Sequence, residues 1–574
     1  TSVQSFEQYG TEGVYPAFQL GGTAGGRTGD LAWFAGASHV SSRSHPLAYA
    51  TVARPAAAGS AGTRVTGAYA DVNRTGAPIF VLGAAGLEDH EQDNLKLKLA
   101  WEPGPGLRLS YRGGLFLNDT EASAETYLSG NAYAGTLNID GRTVSVPASA
   151  FSNNVYTLDQ RHWMHGLAAE GEAAGLRWRA VGSLYDFDRD EQRLPSGALP
   201  AAAAGGPGSI VRLDGTGWRT LDVELRRGAV RGGGHYDGFR LRSRRFATPD
   251  WRGGAPGALT QAAEGRTRTA ALWAEGEAAI GDAVRLIVGA RYEWWRAHGG
   301  RNFSLAPALD VAQPERTADG LSPKASLRWL PARGWSVSLS AGQAYRFPTV
   351  SELYQAISTG PSLTVPDPNL RPERARSVEL AGQWSDPAGR VRLSLFREAI
   401  SDALISQTAP LVPGSTALFS YVQNVEKVRT TGVELAFQRR GLIAAPLEVS
   451  GSVTLVRPKV VEDPAFPAAE GKDIPQVPRR RATVVLTWHA SEAASLTLAG
   501  RYSSRSFGTI DNSDPVTHTF QGFGGFLVAD ARANLRIGKH WNAALGVENL
   551  GNDRYYLFHP FPQRTFTGEL TYRW

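Results

Sequence analysis

Thr565-Phe566-Thr567-Gly568-Glu569-Leu570-Thr571-Tyr572-Arg573-Trp574 closes the chain. Phe566, Leu570, Tyr572 and Trp574 share one parity; Thr565, Thr567, Glu569, Thr571 and Arg573 share the other. Side chains of a strand alternate between its two faces, so this segment reads as a strand with one apolar and one polar face. Ending on such a strand, aromatic residue last, fits a closed barrel whose final strand pairs with its first.

The same alternation recurs from end to end. Leu95, Leu97, Leu99 and Trp101 alternate with Lys96, Lys98 and Ala100, and Leu107, Leu109 and Tyr111 follow the turn at 103–106. Val284, Leu286, Val288, Ala290, Tyr292 and Trp294 form another apolar face. So do Trp335, Val337 and Leu339, then Val433, Leu435 and Phe437, then Val484, Leu486 and Trp488. Their polar neighbours, among them Lys96, Lys98, Arg285, Arg291 and Glu293, suit a wide barrel with a wet lumen inside and lipid outside.

Connectors alternate as well. Short ones near 25–29, 102–106, 170–175, 279–283, 331–334, 386–389, 441–446, 490–494 and 538–540 are interleaved with long ones. The long ones run near 42–90, 119–160, 188–216, 245–266, 298–320, 347–374, 401–420, 458–478 and 505–522. This asymmetry predicts an all-β chain, a transmembrane antiparallel β-barrel of about 22 strands with short periplasmic turns and long extracellular loops. One such domain spans 1–574. Trp101, Trp329, Trp335, Trp488 and Trp541 sit beside short turns, as an aromatic girdle at the headgroups requires.

Composition narrows the function. The 574 residues have a mean hydropathy of -0.25 and contain no run long and apolar enough for a membrane helix, which leaves barrel strands open. Zero Cys removes thiolate catalysis and Cys-zinc sites. The net charge of +6 is spread thinly; Arg479-Arg480-Arg481 is the one basic run and argues against a nucleic-acid surface. His162 and His165 are three apart, a spacing that puts them on opposite faces of a strand and not around one metal. No Gly-x-Ser-x-Gly elbow or phosphate loop supports an enzyme, and no cofactor is called for.

Four blocks then occur in order. The first is Ala344-Tyr345-Arg346-Phe347-Pro348-Thr349-Val350-Ser351-Glu352-Leu353-Tyr354, continued by Asp367-Pro368-Asn369-Leu370-Arg371-Pro372-Glu373 and by Ser377-Val378-Glu379-Leu380. The second runs from Asn424-Val425 to Gly432-Val433-Glu434-Leu435, the third is Ile474-Pro475-Gln476-Val477-Pro478-Arg479, and the fourth Glu548-Asn549-Leu550-Gly551-Asn552-Asp553-Arg554-Tyr555-Tyr556. With the closing strand and Trp574 they resemble the barrel of TonB-dependent outer-membrane receptors. The resemblance implies uptake of a scarce metal chelate, a ferric siderophore first, with haem or cobalamin as alternatives. It also implies a monomer in outer-membrane lipid and coupling to the TonB complex through an amino-terminal plug. Residues 1–10 resemble the first strand after a plug, so the plug is expected outside this chain. A passive porin-like channel is the competing reading.

The motif residues read first as architecture. Pro348 and Pro368 break strands, and Glu352, Glu373, Glu379 and Glu434 lie near Arg346, Arg371 and Arg376 for lumenal ion pairs. For ligand contact, aromatic and basic residues of the loops and upper lumen are the candidates: Arg43, Tyr127, Tyr133, Phe151, Trp251, Arg252, Tyr354 and Tyr421. One Met and no Cys argue against capture of a soft metal.

Overall fold

The terminal strand pairs as its alternation predicts. Thr565–Tyr572 runs antiparallel to Ser2–Gln8, with Thr567 opposite Ser2 and Phe566 opposite Val3. The amino group of Thr1 donates to the Gly568 carbonyl at 2.9 Å. The seam closes 22 antiparallel strands into one barrel, and closure leaves no strand edge unpaired in lipid. The computed structural model describes the backbone of residues 1–104, 106–355, 357–359, 362–410, 418–442, 444 and 446–574.

Alternation sorts the wall into two faces. Leu95, Leu97, Trp101, Leu327, Trp329, Leu545 and Leu570 stand exposed on the outer face, and the tryptophans expected in the girdle, Trp101, Trp329, Trp335, Trp488 and Trp541, are all exposed beside short turns. The inner face carries the charges. Glu102 accepts from Arg27 and lies 3.6 Å from Arg108, which reaches Glu170 at 3.4 Å. Glu275 joins Arg231, 2.6 Å away, to Lys324. These pairs are partly solvated, so they set lumen chemistry more than stability.

Strands run further than apolar alternation shows. Pro78–Gly104 has 27 residues and Leu107–Thr126 has 20, so both extend well past the lipid band into the segments read as loops. Gly389–Pro410 and Leu418–Arg440 likewise pair through most of 401–420, a segment read as a long loop. Alternation marks only the height at which one face meets lipid; the ladder continues wherever backbone partners remain. The first turn also differs. Tyr9-Gly10 joins Ser2–Gln8 to Thr11–Thr28 tightly on the extracellular rim, and the next turn is at Gly29-Asp30. Residues 549–564 form a further long extracellular connection.

The extracellular connections build a cap with its own core. Phe80, Leu82, Leu137, Ile139, Val144, Phe151 and Trp251 cluster, all buried. Thr63–Val65 and Gly135–Ile139 pair in parallel, with Arg142–Val146 on the other side. A second cluster collects Phe6, Tyr49, Val81, Leu87, Phe520 and Tyr556.

Candidate ligand-binding vestibule

The cap brings four of the eight proposed contacts together. Asp250 organises the tight loop that carries two of them. Its Oδ1 accepts from the N–H of Gly206 at 3.0 Å and of Arg252 at 3.2 Å, and its Oδ2 from Gly253 N–H at 3.2 Å. Those backbone donors hold the carboxyl below its ordinary range. Trp251 is thereby driven inward, fully buried, with Nε1 donating to the Ala202 carbonyl at 2.8 Å. Arg252 lies across the Trp251 ring, 4.3 Å from its centroid, and its Nη1 reaches Glu121 at 2.7 Å. Tyr133 meets Phe151 edge-on at 4.9 Å within the same cluster. Phe151 is also fully buried, so Tyr133 and Arg252 are the accessible members of this group.

The other four are dispersed. Tyr127 packs beside the second cluster, its hydroxyl 2.5 Å from Thr11 Oγ1. Tyr421 is half-buried near the extracellular end of Leu418–Arg440, opposite Gln407. Arg43 stands on the other side of the wall from the lumen. No bulge interrupts Leu31–Arg43, so Arg43 shares the outer face of Leu31 and Trp33, with Nε 3.9 Å from Asp89. A two-residue periodicity fixes that face whatever the loop does above it.

Tyr354 acts as a wedge. It ends the short helix Val350–Tyr354, whose first turn is a capping box: Thr349 Oγ1 accepts from Glu352 N–H at 3.2 Å and Glu352 Oε2 from Thr349 N–H at 2.8 Å. The helix lies against the inner wall with Leu241, Trp295, Ala297, Leu353 and Leu370. The Tyr354 ring fills space above two wall glycines: a Cβ on Gly265 would come within 2.3 Å of it, and one on Gly300 within 2.6 Å. Burial pushes its phenol pKa up.

The remaining motif residues anchor loops to the wall. Pro348 is buried, and Arg346 pairs with Glu352 as expected. Asn369 N–H donates to Asp367 at 2.8 Å. Arg371 goes to Asp402, and its backbone N–H donates to Asn424 at 2.7 Å just before Pro372. Glu373 accepts from Leu404 N–H at 2.8 Å, Glu379 pairs with Arg392 at 2.7 Å, and Glu434 accepts from Thr454 at 3.2 Å. Arg376 faces outward and donates to Gln343 at 2.9 Å, so it does not join the lumenal acids. Gly432 leaves room for Phe396, since a Cβ there would lie 2.4 Å from its ring. Asn549, at φ 51°, folds its loop by accepting from Asp553 N–H and donating to the Asp553 carbonyl, each at 2.9 Å. Leu550 N–H donates to Ala529 at 2.7 Å, and Tyr555 stacks between Phe526 and Phe561.

Two features were not legible in the sequence. A hydrogen-bonded chain crosses four strands on the inner wall. Glu88 meets His90 at 2.9 Å, His90 meets Thr120 at 2.9 Å, and Asn118 donates to Gln160 at 3.0 Å. Gln160 donates to Asp190 at 2.8 Å, and Asp190 lies 3.0 Å from His162, whose ring stacks on Phe187 at 4.0 Å. His165, on the opposite face, meets the Tyr111 hydroxyl at 2.8 Å. The second is a cavity of about 450 Å³ at the extracellular ends of four strands and beneath the 347–372 connection. Arg245, Gln261, Asn302, Gln313, Gln355 and Phe303 line it. Its size falls in the range of small-ligand sites.

Residues 35–550 match the family described as TonB dependent receptor-like, beta-barrel. The chain belongs to the TonB-dependent receptor family. As a member it is an outer-membrane receptor barrel and not an enzyme. Solved relatives share this fold at low identity. The siderophore receptor PiuA from Acinetobacter baumannii superposes with a TM-score of 0.62 at 12% identity, over 100% of this chain and 80% of its own. The ferric citrate transporter FecA, in its unliganded form, gives 0.65 at 14%, over 100% and 78%. The copper transporter OprC gives 0.63 at 14%, over 99% and 83%. For this TonB-dependent receptor, the four motif blocks are the fastenings that tie its extracellular connections to the wall.

Proposed function

We propose that this TonB-dependent receptor takes up a ferric siderophore, with residues 1–574 forming its translocation domain and a plug domain coupling it to TonB. The observation that carries the reading is the cavity around Arg245. A guanidinium among amide side chains and one aromatic ring suits an anionic, oxygen-rich chelate. Arg252 and Tyr133, the accessible members of the cap group, offer a second cationic and aromatic surface nearer solvent. The division of domains is supported by length, since this chain spans 78% of FecA and 83% of OprC. The barrel works as a monomer, surrounded by outer-membrane lipid.

A titration of the full-length receptor with ferric citrate, a ferric catecholate, haem and cobalamin tests this. A ferric chelate should bind, and Arg245→Gln should weaken it about tenfold, the loss of one charge-assisted contact. Trp251→Ala with Arg252→Ala should weaken it too while the barrel stays folded. Binding of haem or cobalamin alone would transfer the site to those substrates. No binding, with free permeation of sugars in a liposome-swelling assay, would favour a passive channel.

A further inference from the structure

The outer face of the wall changes character abruptly in one sector. On Gly217–Arg227, Val230–Thr248, Leu259–Ile280 and Val284–Ser304, register aligns Leu221, Tyr236, Ala270 and Trp294 in one outward row. The next row toward the loops holds Arg219, Gly238, Arg268 and Arg296, and the one after it Gly217, Arg240, Arg266 and His298. The alternate residues Leu241, Trp295 and Ala297 are buried on the inner face under the helix Val350–Tyr354, which fixes the arginines as outward.

One carboxylate, Glu315, offsets these charges only in part. Arg240 stands directly opposite Arg266, and Arg268 directly opposite Arg296. Like charges so placed repel. Arg296 pairs with Glu315, but among the described residues Arg219, Arg240, Arg266 and Arg268 have no carboxylate at ion-pair distance. Arg268 Nε is buried and donates to nothing. His298 lies within charge range of Arg266, Arg268 and Arg296, and of the single acid Glu315. The same tier elsewhere is different: on Leu31–Arg43 and Pro78–Gly104 the outward residues are Arg43, His39, Asp89, Glu91 and Asp93, which pair with one another.

We propose that this arginine tier binds the phosphate groups of an anionic lipid of the outer leaflet. Tyr236 and Trp294 sit immediately below it on an apolar wall, at the level where aromatic residues meet lipid headgroups. Guanidinium forks match phosphate oxygens bidentately and would relieve the repulsion across the strands. Because the tier is basic in this sector and carries an excess of carboxylates near Arg43, the lipid is held at one side of the barrel.

Native mass spectrometry of the full receptor in detergent, titrated with bisphosphorylated lipid A, tests this in the absence of any chelate. Failure would therefore leave the uptake reading untouched. Arg266→Gln with Arg268→Gln should weaken lipid retention about tenfold, as expected for losing charge-assisted contacts. Dephosphorylated lipid A should bind weakly to both proteins. Equal retention of the dephosphorylated lipid, or unchanged retention by the variant, would overturn the proposal. Full displacement by inorganic phosphate would also overturn it, by making the occupant a free anion. Heat-modifiable gel migration reports folding; if that variant fails it, Arg219→Gln with Arg240→Gln is read against the same criteria.

Discussion

Leu545 in the wall and Trp251 in the cap are both large and apolar, yet Leu545 is 71% exposed and Trp251 is 0% exposed. The wall places its apolar side chains outside because its solvent there is lipid, and it gains cohesion from a closed ladder of backbone hydrogen bonds. The cap stands in water and must bury its apolar side chains as a soluble domain does. One chain thus follows two opposite rules, and the boundary between them is the upper edge of the aromatic and apolar band.

Breaking the cap core is expected to have the largest effect. Trp251→Ala should cost about 3–5 kcal/mol of local stability, as truncation of a buried Trp does. Hydrogen exchange should rise across 44–77 and 127–155 while heat-modifiable barrel migration persists. Loss of the barrel along with the cap would show that the two regions are not separately stabilised. Placing a charge on the lipid face comes next: Leu545→Arg should cost about 2–4 kcal/mol near mid-bilayer, measured by urea unfolding in vesicles. A small cost there would mean that Leu545 does not face lipid.

Gly300→Ala sharpens the boundary itself, because Tyr354 must move to admit the methyl group. The expected cost is about 1–3 kcal/mol, read as protease sensitivity within 347–372. Unchanged sensitivity would show that the loop tolerates displacement of Tyr354.

A pH titration separates the regions more gently. Burial acts to raise the Asp473 pKa, but hydrogen bonds from Arg479 at 2.7 Å and from Lys459 overcome it, leaving the carboxyl below its ordinary range. A depressed folded pKa gives stability that is present above the unfolded value and lost as pH falls through the folded one. Protection of the 463–479 connection should therefore decline on acidification while the wall is unaffected, and Asp473→Asn should flatten that decline. The smallest effect is expected from Leu545→Ala, about 0.5–1 kcal/mol, since no packed cavity is created and only part of the favourable transfer of leucine into lipid is lost.

The sequence reached the wall more fully than the vestibule. Alternation at Leu95–Trp101 and in the final strand revealed which side chains face lipid, because a period of two is a local property. It misjudged strand length at 78–90, where residues 79–87 are apolar on both faces and buried in the cap, and at 401–420, where both faces are mixed, so neither segment shows a period of two. It also ranked Trp251, Phe151 and Tyr354 as contacts because they are aromatic residues in loops. Their burial depends on Asp250, on Leu137 and Ile139, and on Gly265 and Gly300, all remote in sequence. Arg43, offered as a loop or upper-lumen contact, lies on the outer face of the wall, a face that follows from Leu31 and Trp33 in the same strand.

By itself the sequence determined the barrel, its approximate strand number, its two rims and its family resemblance, since hydropathy period, turn chemistry and short motifs are all written within a few residues. Tertiary structure alone decided that the loops form a buried cap, that His162 and Asp190 meet on the inner wall, and that Arg240 faces Arg266. Those relations join residues from different strands. Which strands become neighbours, and in which register, is fixed only when the ladder closes around all 22.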